Sequence, residues 1–263
     1  MGSELLSLYP NANILVATKR DFEKDRRKLF CSRIATGNYD IVIMGHSQFS
    51  RIPLSTERQQ KFLQDEIERY TQEIASAKKE KSGQDLSVKQ MEATKKRLQS
   101  HLEELMDSPK DDVVTFEQLG VDSLMVDEAH EFKNLAVTTK MQNVAGISTS
   151  ESQKATDLLM KTQYLDEITG GRGLVFCTGT PISNSPVELY TMMRYLQAST
   201  LRAHDLLSFD AWAANFGQTT TSIELAPEGT GYRSKTRFSR FFNLPELISM
   251  WKLATDVPVS YTH

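Results

Sequence analysis

The stretch Val121–Asn134 reads VDSLMVDEAHEFKN and decides how the chain is interpreted. Its first half is short and mostly apolar, which is typical of a strand that is covered on both faces. Asp127 and Glu128 follow at once, and ligands of open parallel sheets bind beyond the carboxyl ends of the strands. The pattern therefore favours one side of a nucleotide-hydrolysis site, with solvated acids at a polar strand end as the alternative.

Three other apolar runs predict further strands of the same kind. They are residues 13–17 (NILVA), 39–45 (YDIVIMG) and 173–179 (GLVFCTG). Helical patterns separate the runs, over 19–35 before Gly37 and over 155–168 before Gly170, because glycine commonly ends a helix. Strands that alternate with helices predict an α/β fold with a parallel sheet.

A polar segment after the second predicted strand interrupts this rhythm. Two capping boxes, Thr56 with Gln59 and Ser87 with Gln90, predict two helices whose apolar residues follow the four-and-three spacing of a coiled coil. A turn over 82–85 would join them into an antiparallel helical hairpin inserted between two strands. The mixed charges of the hairpin describe either a solvated face or an arm that docks a protein.

The bulk composition excludes several classes of protein. A length of 263 residues allows one large domain, and a net charge of −3 restricts any nucleic-acid surface to a local patch. Cys31 and Cys177 have no CxxC partner, so they exclude a cysteine-based zinc site and are expected to be buried small apolar groups. We expect a cytoplasmic protein, since the sequence has no signal-peptide pattern and no run of about 20 apolar residues.

A second motif, residues 177–185 (CTGTPISNS), follows the last predicted strand. Ser185 and Glu188 form a capping box that opens the next helix, with Pro186 at its first position. Hydroxyls and a glycine on such a turn can couple a phosphate-facing loop to a moving neighbour. An ordinary turn that only caps a helix is the alternative, and the position of the motif one βα unit after the DEAH sequence favours the coupling role.

Together the two motifs resemble the motor core of Swi/Snf-type ATPases in helicase superfamily two. The matching positions are Asp127, Glu128, Ala129, His130, Lys133, Asn134, Thr178, Gly179, Thr180, Pro181 and Asn184. The stretches ILVATKRDF, GHSQF, KMQNVAGISTSESQKA and ELAPEGTGYRSKTRF are similar to large helicase proteins of bacterial mobile elements and phages, which often carry a DNA adenine methyltransferase region.

This resemblance implies a RecA-like lobe that works with ATP and Mg²⁺. Asp127 would coordinate Mg²⁺ through water, and Glu128 would be the catalytic acid–base residue. The coupling residues would be His130, Lys133, Asn134, Thr178, Gly179 and Thr180. The implied partners are double-stranded DNA, a second RecA-like lobe and a methyltransferase region of the same parent chain, with no membrane partner.

The predicted domains combine the helix and strand patterns of the sequence with this resemblance. Residues 1–55 would begin the RecA-like lobe and residues 56–110 would form the inserted coiled-coil hairpin. Residues 111–200 would complete the lobe with both motifs, and residues 201–263 would be an irregular or helical extension with a basic segment. Residues 136–154 are expected to be a mobile loop, and 245–253 a short helix.

One expected part of the ATP site is missing from the sequence. No G-x-x-x-x-G-K-[ST] match occurs, although a phosphate loop should follow a strand and open a helix. We therefore expect a partial lobe without its P-loop strand, in which the run 173–179 lies at an open edge and the chain alone does not hydrolyse ATP usefully. The alternative is a degenerate, non-catalytic lobe that binds DNA or protein.

The basic segment, residues 232–240 (YRSKTRFSR), is the candidate DNA contact. It carries Arg233, Lys235, Arg237 and Arg240. These cations could contact phosphates while the interleaved Tyr232 and Phe238 pack or stack. The alternative is a surface segment whose arginines pair with local acids.

Overall fold

The computed structural model describes residues 2–79, 85–107, 114–141, 144–147, 152–183, 185–225 and 231–256. The chain divides into two compact units. The first consists of Met1–Ile67 with Leu98–Asp122, and the second of Glu68–Arg97 with Ser123–His263.

The first unit holds a pair of parallel strands among short helices. Its elements are α1 (Gly2–Leu8), β1 (Ile14–Val16), a 3-10 turn (Lys19–Phe22), α2 (Arg27–Thr36), β2 (Ile41–Ile43), α3 (His46–Phe49) and a 3-10 turn (Glu117–Leu119). Leu15 lies opposite Val42 in the parallel register. Both strands lie where the apolar runs predict them, and α2 ends at Gly37 as expected.

Two long helices occupy the predicted hairpin segment, α4 (Thr56–Lys79) and α5 (Asp85–Asp107). Residues 80–84, which contain most of the predicted turn, lie outside the described residues. The predicted caps are wrong by one or two residues. Ser55 rather than Thr56 accepts the Arg58 amide at 3.4 Å, and α5 begins two residues before Ser87.

The second unit contains two further sheets. The parallel pair is β3 (Leu124–Val126) with β5 (Leu174–Phe176). A three-stranded sheet has the order β4 (Val144–Ala145), β7 (Tyr232–Phe241), β6 (Gly217–Leu225), in which β6 and β7 are antiparallel. The helices are α6 (Gln153–Thr169), α7 (Val187–Leu196), α8 (Ala198–Ala203), α9 (Phe209–Phe216) and α10 (Leu244–Lys252).

An aromatic core holds the second unit together. Trp212 of α9 is fully buried and packs on Tyr190 of α7, with ring centroids 5.4 Å apart. Phe209 and Phe216 of α9 and Phe238 of β7 complete the cluster. The interpretation of Trp212 and Phe216 as one packed helix face is therefore confirmed.

The coarse prediction of a mixed α/β fold with parallel strands is confirmed, but the strands are less covered than expected. Met125 and Val175, which are register partners, are 75% and 43% exposed. The expectation that every apolar run is buried on both faces is therefore wrong. Among the described strands β5 bonds only to β3, so its other edge is open, as expected.

Two segments whose sequence shows no clear period contain regular elements where the structure describes them, while residues 142–143, 148–151, 226–230 and 257–263 lie outside the described residues. Within 136–154, Val137 and Thr138 are buried and β4 pairs with β7. After residue 201, where the pattern is irregular, the chain forms α9 and the β6–β7 hairpin, and α10 confirms the predicted terminal helix to within one residue. In the part of the chain that the structure describes, no helix is both long enough and apolar enough to span a bilayer.

Candidate functional site

The two sequence motifs meet at the carboxyl ends of β3 and β5. Because these strands are parallel and in register, Asp127 and Cys177 leave the same edge of the pair. The Cys177 amide donates to the Val126 carbonyl at 2.8 Å, and the Ala129 amide donates to the Cys177 carbonyl at 3.0 Å. The backbone therefore joins the DEAH turn to the start of the TGTP turn. Cys177 itself is exposed, which corrects the expectation that both cysteines are buried.

Glu128 has an unusual backbone conformation. Its φ of 51° and ψ of 46° lie in the left-handed region, directly before a 3-10 turn over Ala129–Phe132. A non-glycine residue there costs on the order of 1–3 kcal/mol and persists only when its surroundings impose it. Ala129 and Phe132, both buried, anchor the turn. Such strain is concentrated at functional sites, so the outlier supports a functional role for Glu128.

His130, the last residue of the DEAH motif, contacts both Glu128 and the TGTP turn. Its Nδ1 is 3.1 Å from Oε2 of Glu128 and 3.4 Å from Oγ1 of Thr178. The Thr178 hydroxyl in turn accepts the Thr180 amide at 3.1 Å. The imidazole ring of His130 thus links the Glu128 side chain to the Thr178–Thr180 turn, so a movement of Glu128 can shift this turn.

Lys133 forms a second bridge, and it is nearly buried. Its Nζ is 3.1 Å from Oε2 of Glu188 and donates to the Ser183 hydroxyl at 3.0 Å, with 8% of the lysine and 13% of the glutamate side chain exposed. The Ser183 amide also donates to Oε2 of Glu188, at 2.5 Å. The predicted capping box is therefore wrong, because the Glu188 carboxylate turns to Lys133 and Ser183.

The two acids at the centre of the site are accessible. Asp127 is exposed, with Oδ1 accepting the Glu128 amide at 3.0 Å, and 64% of the Glu128 side chain is exposed. The described residues contain no group of three or more His, Cys, Asp or Glu side chains that could hold a metal. Mg²⁺ suits such a place, since it retains water and needs one or two carboxylates plus substrate phosphates.

The structure brings together most of the predicted site residues. Asp127, Glu128, His130 and Thr178 are joined by the contacts above, and Lys133 bonds separately to Ser183 and Glu188. Thr180 contributes its amide, and Gly179 lies exposed between the two threonines. Asn134 is exposed just beyond the turn, and Asn184 lies outside the described residues.

Glu188 and Ser183 are the members of this site that sequence reasoning missed as functional residues. Glu188 was expected only as part of a helix cap. A signal for its other role existed in Lys133, because a lysine three positions after the DEAH motif needs an anionic partner if it is buried.

The basic segment lies elsewhere in the second unit, on β7. Phe238 is buried against Phe209 and Trp212, so it packs and does not offer a stacking surface. Tyr232 is exposed. Nη2 of Arg237 is 2.7 Å from Oε1 of Glu224, so one of the four cations has the acidic partner that the alternative interpretation expects.

A shallow concavity in the first unit is not part of this site. Tyr9, Pro10, Asn11 and Asp40 are among its lining residues, and they lie before β1 and β2. Ligands of parallel sheets bind at the carboxyl ends of the strands, so this hollow at the amino ends has the wrong position for a nucleotide.

Comparison with known proteins assigns the family. A family model described as "Probable helicase domain" matches residues 3–259, nearly the whole chain. The chain belongs to this helicase-domain family. The match confirms the coarse part of the resemblance, a helicase-like domain, and says nothing finer about its subgroup.

A relative of this helicase-domain chain occurs in a phage. A segment of 165 residues is 29% identical to the Defense against restriction protein B of Escherichia phage P1. The segment makes up 62% of this chain and 7% of that protein, so the chain spans less than a tenth of its relative's length. No solved structure matches the chain.

Proposed function

We propose that this domain supplies the hydrolytic part of a Swi/Snf-type, DNA-dependent ATPase of helicase superfamily two. The observation that carries the proposal is the pair of side-chain bridges, His130–Thr178 and Lys133–Glu188, between turns that leave adjacent parallel strands. A motor must pass the state of its nucleotide to its DNA-gripping parts, and two short bridges between these turns suit that task.

The roles proposed for the acids are those that the resemblance to the Swi/Snf-type motor core implies. Asp127 would hold Mg²⁺ through water, and the metal would supply charge neutralisation for phosphoryl transfer. Glu128 orients the attacking water and takes its proton. His130 contacts both Glu128 and Thr178, so it senses the position of the catalytic carboxylate. Lys133, Asn134, Gly179 and Thr180 complete the coupling region.

The remainder of the motor is part of the same proposal. Phosphoryl transfer depends mainly on positioning and charge, so these residues need a phosphate loop and a second RecA-like lobe. We place the domain as a RecA-like lobe interrupted by the α4–α5 hairpin, in a parent chain that acts on double-stranded DNA beside a methyltransferase region. The phage relative is named for defence against restriction, a process directed at DNA, which supports DNA as the polymer.

The test is DNA-stimulated ATP hydrolysis by the full-length gene product. Replacing Glu128 by glutamine should lower kcat by about 10²- to 10⁴-fold, the range for loss of a general acid–base group. ATP binding, measured with a fluorescent analogue, should persist because the phosphate contacts are untouched. The control is Glu131→Gln, which alters an exposed acid three residues away that pairs with Lys154.

Two results would contradict the proposal. If Glu128→Gln and Glu131→Gln lower kcat equally, Glu128 has no special role in hydrolysis. If the full-length product binds DNA but hydrolyses no ATP, the non-catalytic binding module is the correct function.

A further inference from the structure

The β6–β7 hairpin gathers basic side chains on one of its two faces. In the antiparallel register Arg233 lies opposite Glu224, Lys235 opposite Ser222 and Arg237 opposite Thr220. Side chains alternate between the faces of a strand, and directly opposed residues share a face. Arg233, Lys235 and Arg237 occupy every second position of β7, so their side chains lie on the same face of the hairpin.

A β-bulge adds the fourth cation to that face. Phe238 pairs with Thr219, but Arg240 pairs with Gln218, which leaves residue 239 without a register partner. The extra residue reverses the alternation, as bulges do when they redirect a side chain. Without it Arg240 would share a face with Phe238, whereas the observed register aligns it with Arg237.

The opposite face anchors the hairpin. Phe238 is 1% exposed, and its ring centroid is 5.6 Å from that of Phe209 in the aromatic core. Because Phe238 points into the core, the basic face points away from it. Arg233, Arg237 and Arg240 are exposed accordingly, and Lys235 is half-buried.

The charge of this face is unusual for the molecule. The whole chain has a net charge of −3, yet β7 carries four cations, and Glu224 is the only charged residue of β6. Oε1 of Glu224 accepts from both Nε and Nη2 of Arg237, at 3.0 and 2.7 Å. The same contact lowers the pKa of Glu224 below its usual value, so the carboxylate stays ionised at neutral pH.

We propose that the basic face of the β6–β7 hairpin binds the phosphate backbone of a nucleic acid, and that Glu224 limits this binding by occupying Arg237. The choice of DNA as the polymer rests on the proposed function. The binding itself requires no ATP, since the face lies on a different sheet from the DEAH and TGTP turns. An exposed row of cations on one face of an extended ribbon follows a polyanion without reading bases.

Counterion release gives the expected size of the effect. With three available cations, log Kobs should fall with log[salt] at a slope of about −2.7 on duplex DNA, since each neutralised phosphate contributes about −0.9. Freeing Arg237 should steepen the slope to about −3.6. At a slope of −0.9, one phosphate contact contributes about an eightfold gain in affinity at 0.1 M salt compared with 1 M salt.

The experiment measures binding of a fluorescent duplex by anisotropy across a salt series, without nucleotide, using the full chain. Glu224→Gln should bind more tightly and with the steeper slope, and Arg240→Ala should bind about eightfold more weakly at 0.1 M salt. Arg172→Ala removes an exposed arginine outside the hairpin, and Ile223→Ser alters an exposed residue on the opposite face, where Ile223 pairs with Ser234. Both controls should bind like the wild type.

Several outcomes would overturn the inference. They are unchanged or weaker binding by Glu224→Gln, equal losses in Arg240→Ala and Arg172→Ala, or displacement of the duplex by an acidic polypeptide at equal charge concentration. Tryptophan fluorescence verifies that each variant is folded. Normal DNA binding by this chain, together with a full-length gene product that hydrolyses no ATP, would refute the proposed function and leave this inference standing.

Discussion

Replacing Lys133 by methionine tests how firmly the two motif turns are joined. The change removes the ammonium group and keeps most of the aliphatic volume. In the wild type Nζ lies 3.1 Å from Oε2 of Glu188, and both side chains are more than four-fifths buried. The variant leaves a carboxylate in that buried place, where it keeps the Ser183 amide as a donor.

The burial of the pair sets the size of the expected effect. Removing one partner of a buried ion pair costs about 3–5 kcal/mol, because the remaining charge is desolvated without compensation. The Ser183 amide compensates part of this, since a hydrogen bond to a charged group contributes about 1.5–3 kcal/mol. We therefore expect Lys133→Met to lower the free energy of unfolding by about 1–3 kcal/mol. The double variant Lys133→Met/Glu188→Gln should lose less than the sum of the single variants, by about 1–3 kcal/mol.

The assay is urea unfolding followed by tryptophan fluorescence. The chain has two tryptophans, Trp212 and Trp251, and both belong to the second unit, which also holds the ion pair. The signal therefore reports the unit that the substitutions perturb. The control cycle uses Lys154 and Glu131, which are 3.2 Å apart but 32% and 54% exposed. Exposed pairs contribute about 0.2–1 kcal/mol, so this cycle should give a much smaller coupling.

Additive losses of stability would contradict the expected coupling between Lys133 and Glu188. If the losses of the two single variants at Lys133 and Glu188 add to that of the double variant within about 0.5 kcal/mol, the two groups do not interact. A coupling no larger than that of the Lys154–Glu131 pair would lead to the same conclusion.

Two further predictions concern the same unit. Burial raises the pKa of Asp157 above its usual 3.8 although Lys161 lies 2.7 Å away. The native state then holds this proton more tightly than the unfolded chain, so the contribution of Asp157 to stability is complete below about 3.8 and is lost as pH rises through the native pKa. Urea unfolding should therefore show that wild type becomes more stable relative to Asp157→Asn as pH falls from the native to the unfolded pKa of Asp157. A wild type that becomes less stable relative to the variant over this pH range would contradict the raised pKa. Glu128→Gly should unfold at a urea midpoint no lower than that of wild type, because glycine tolerates the left-handed region without strain. Glu128→Val should lower the free energy of unfolding by about 1–2 kcal/mol. Equal urea midpoints for the two variants would show that the conformation at residue 128 is unstrained.

The positions of the parallel strands could be predicted from the sequence because local signals specify them. The runs 13–17 and 173–179 are apolar and short, and each is followed by a polar turn. Glycines end α2 and α6, and Gly170 adopts the left-handed conformation that its residue type favours. The pairing of these runs into two separate parallel pairs depends on long-range contacts, so the pattern alone could not specify it.

The β6–β7 hairpin could not be predicted because both faces of its strands are mostly polar, so the sequence shows no alternation of apolar and polar residues. Residues 217–224 (GQTTTSIE) offer little apolar contrast, and the hydrophobic period is the main signal of a half-buried strand. The run of β-branched threonines was the usable clue, since such residues favour strands. Among the described side chains of the predicted basic segment Phe238 is the buried one, and one buried residue gives no period.

The role of Glu188 shows a different limit. Its sequence context is that of a capping box, and the local pattern was read correctly as the start of a helix. The carboxylate nevertheless bonds to a lysine 55 positions away. The Glu188 carboxylate can either cap the helix or pair with Lys133. The ion pair forms because a buried ammonium group without a charged partner would cost more free energy than an unmade helix cap.

The strained turn at Glu128 depends on residues outside either motif. Tyr195 of α7 is buried, and its hydroxyl lies 3.1 Å from the carbonyl oxygens of Phe132 and Ala155. Burial raises the pKa of this phenol well above its usual value, so it remains a hydrogen-bond donor at every physiological pH. Its ring also packs on Phe176, with centroids 5.5 Å apart. Helix α7 thus fixes the end of the DEAH turn through Tyr195 and its link to the TGTP turn through Glu188. In the proposed function the acids of the motif would define the chemistry, and the helix that follows the second motif holds the turn that carries them.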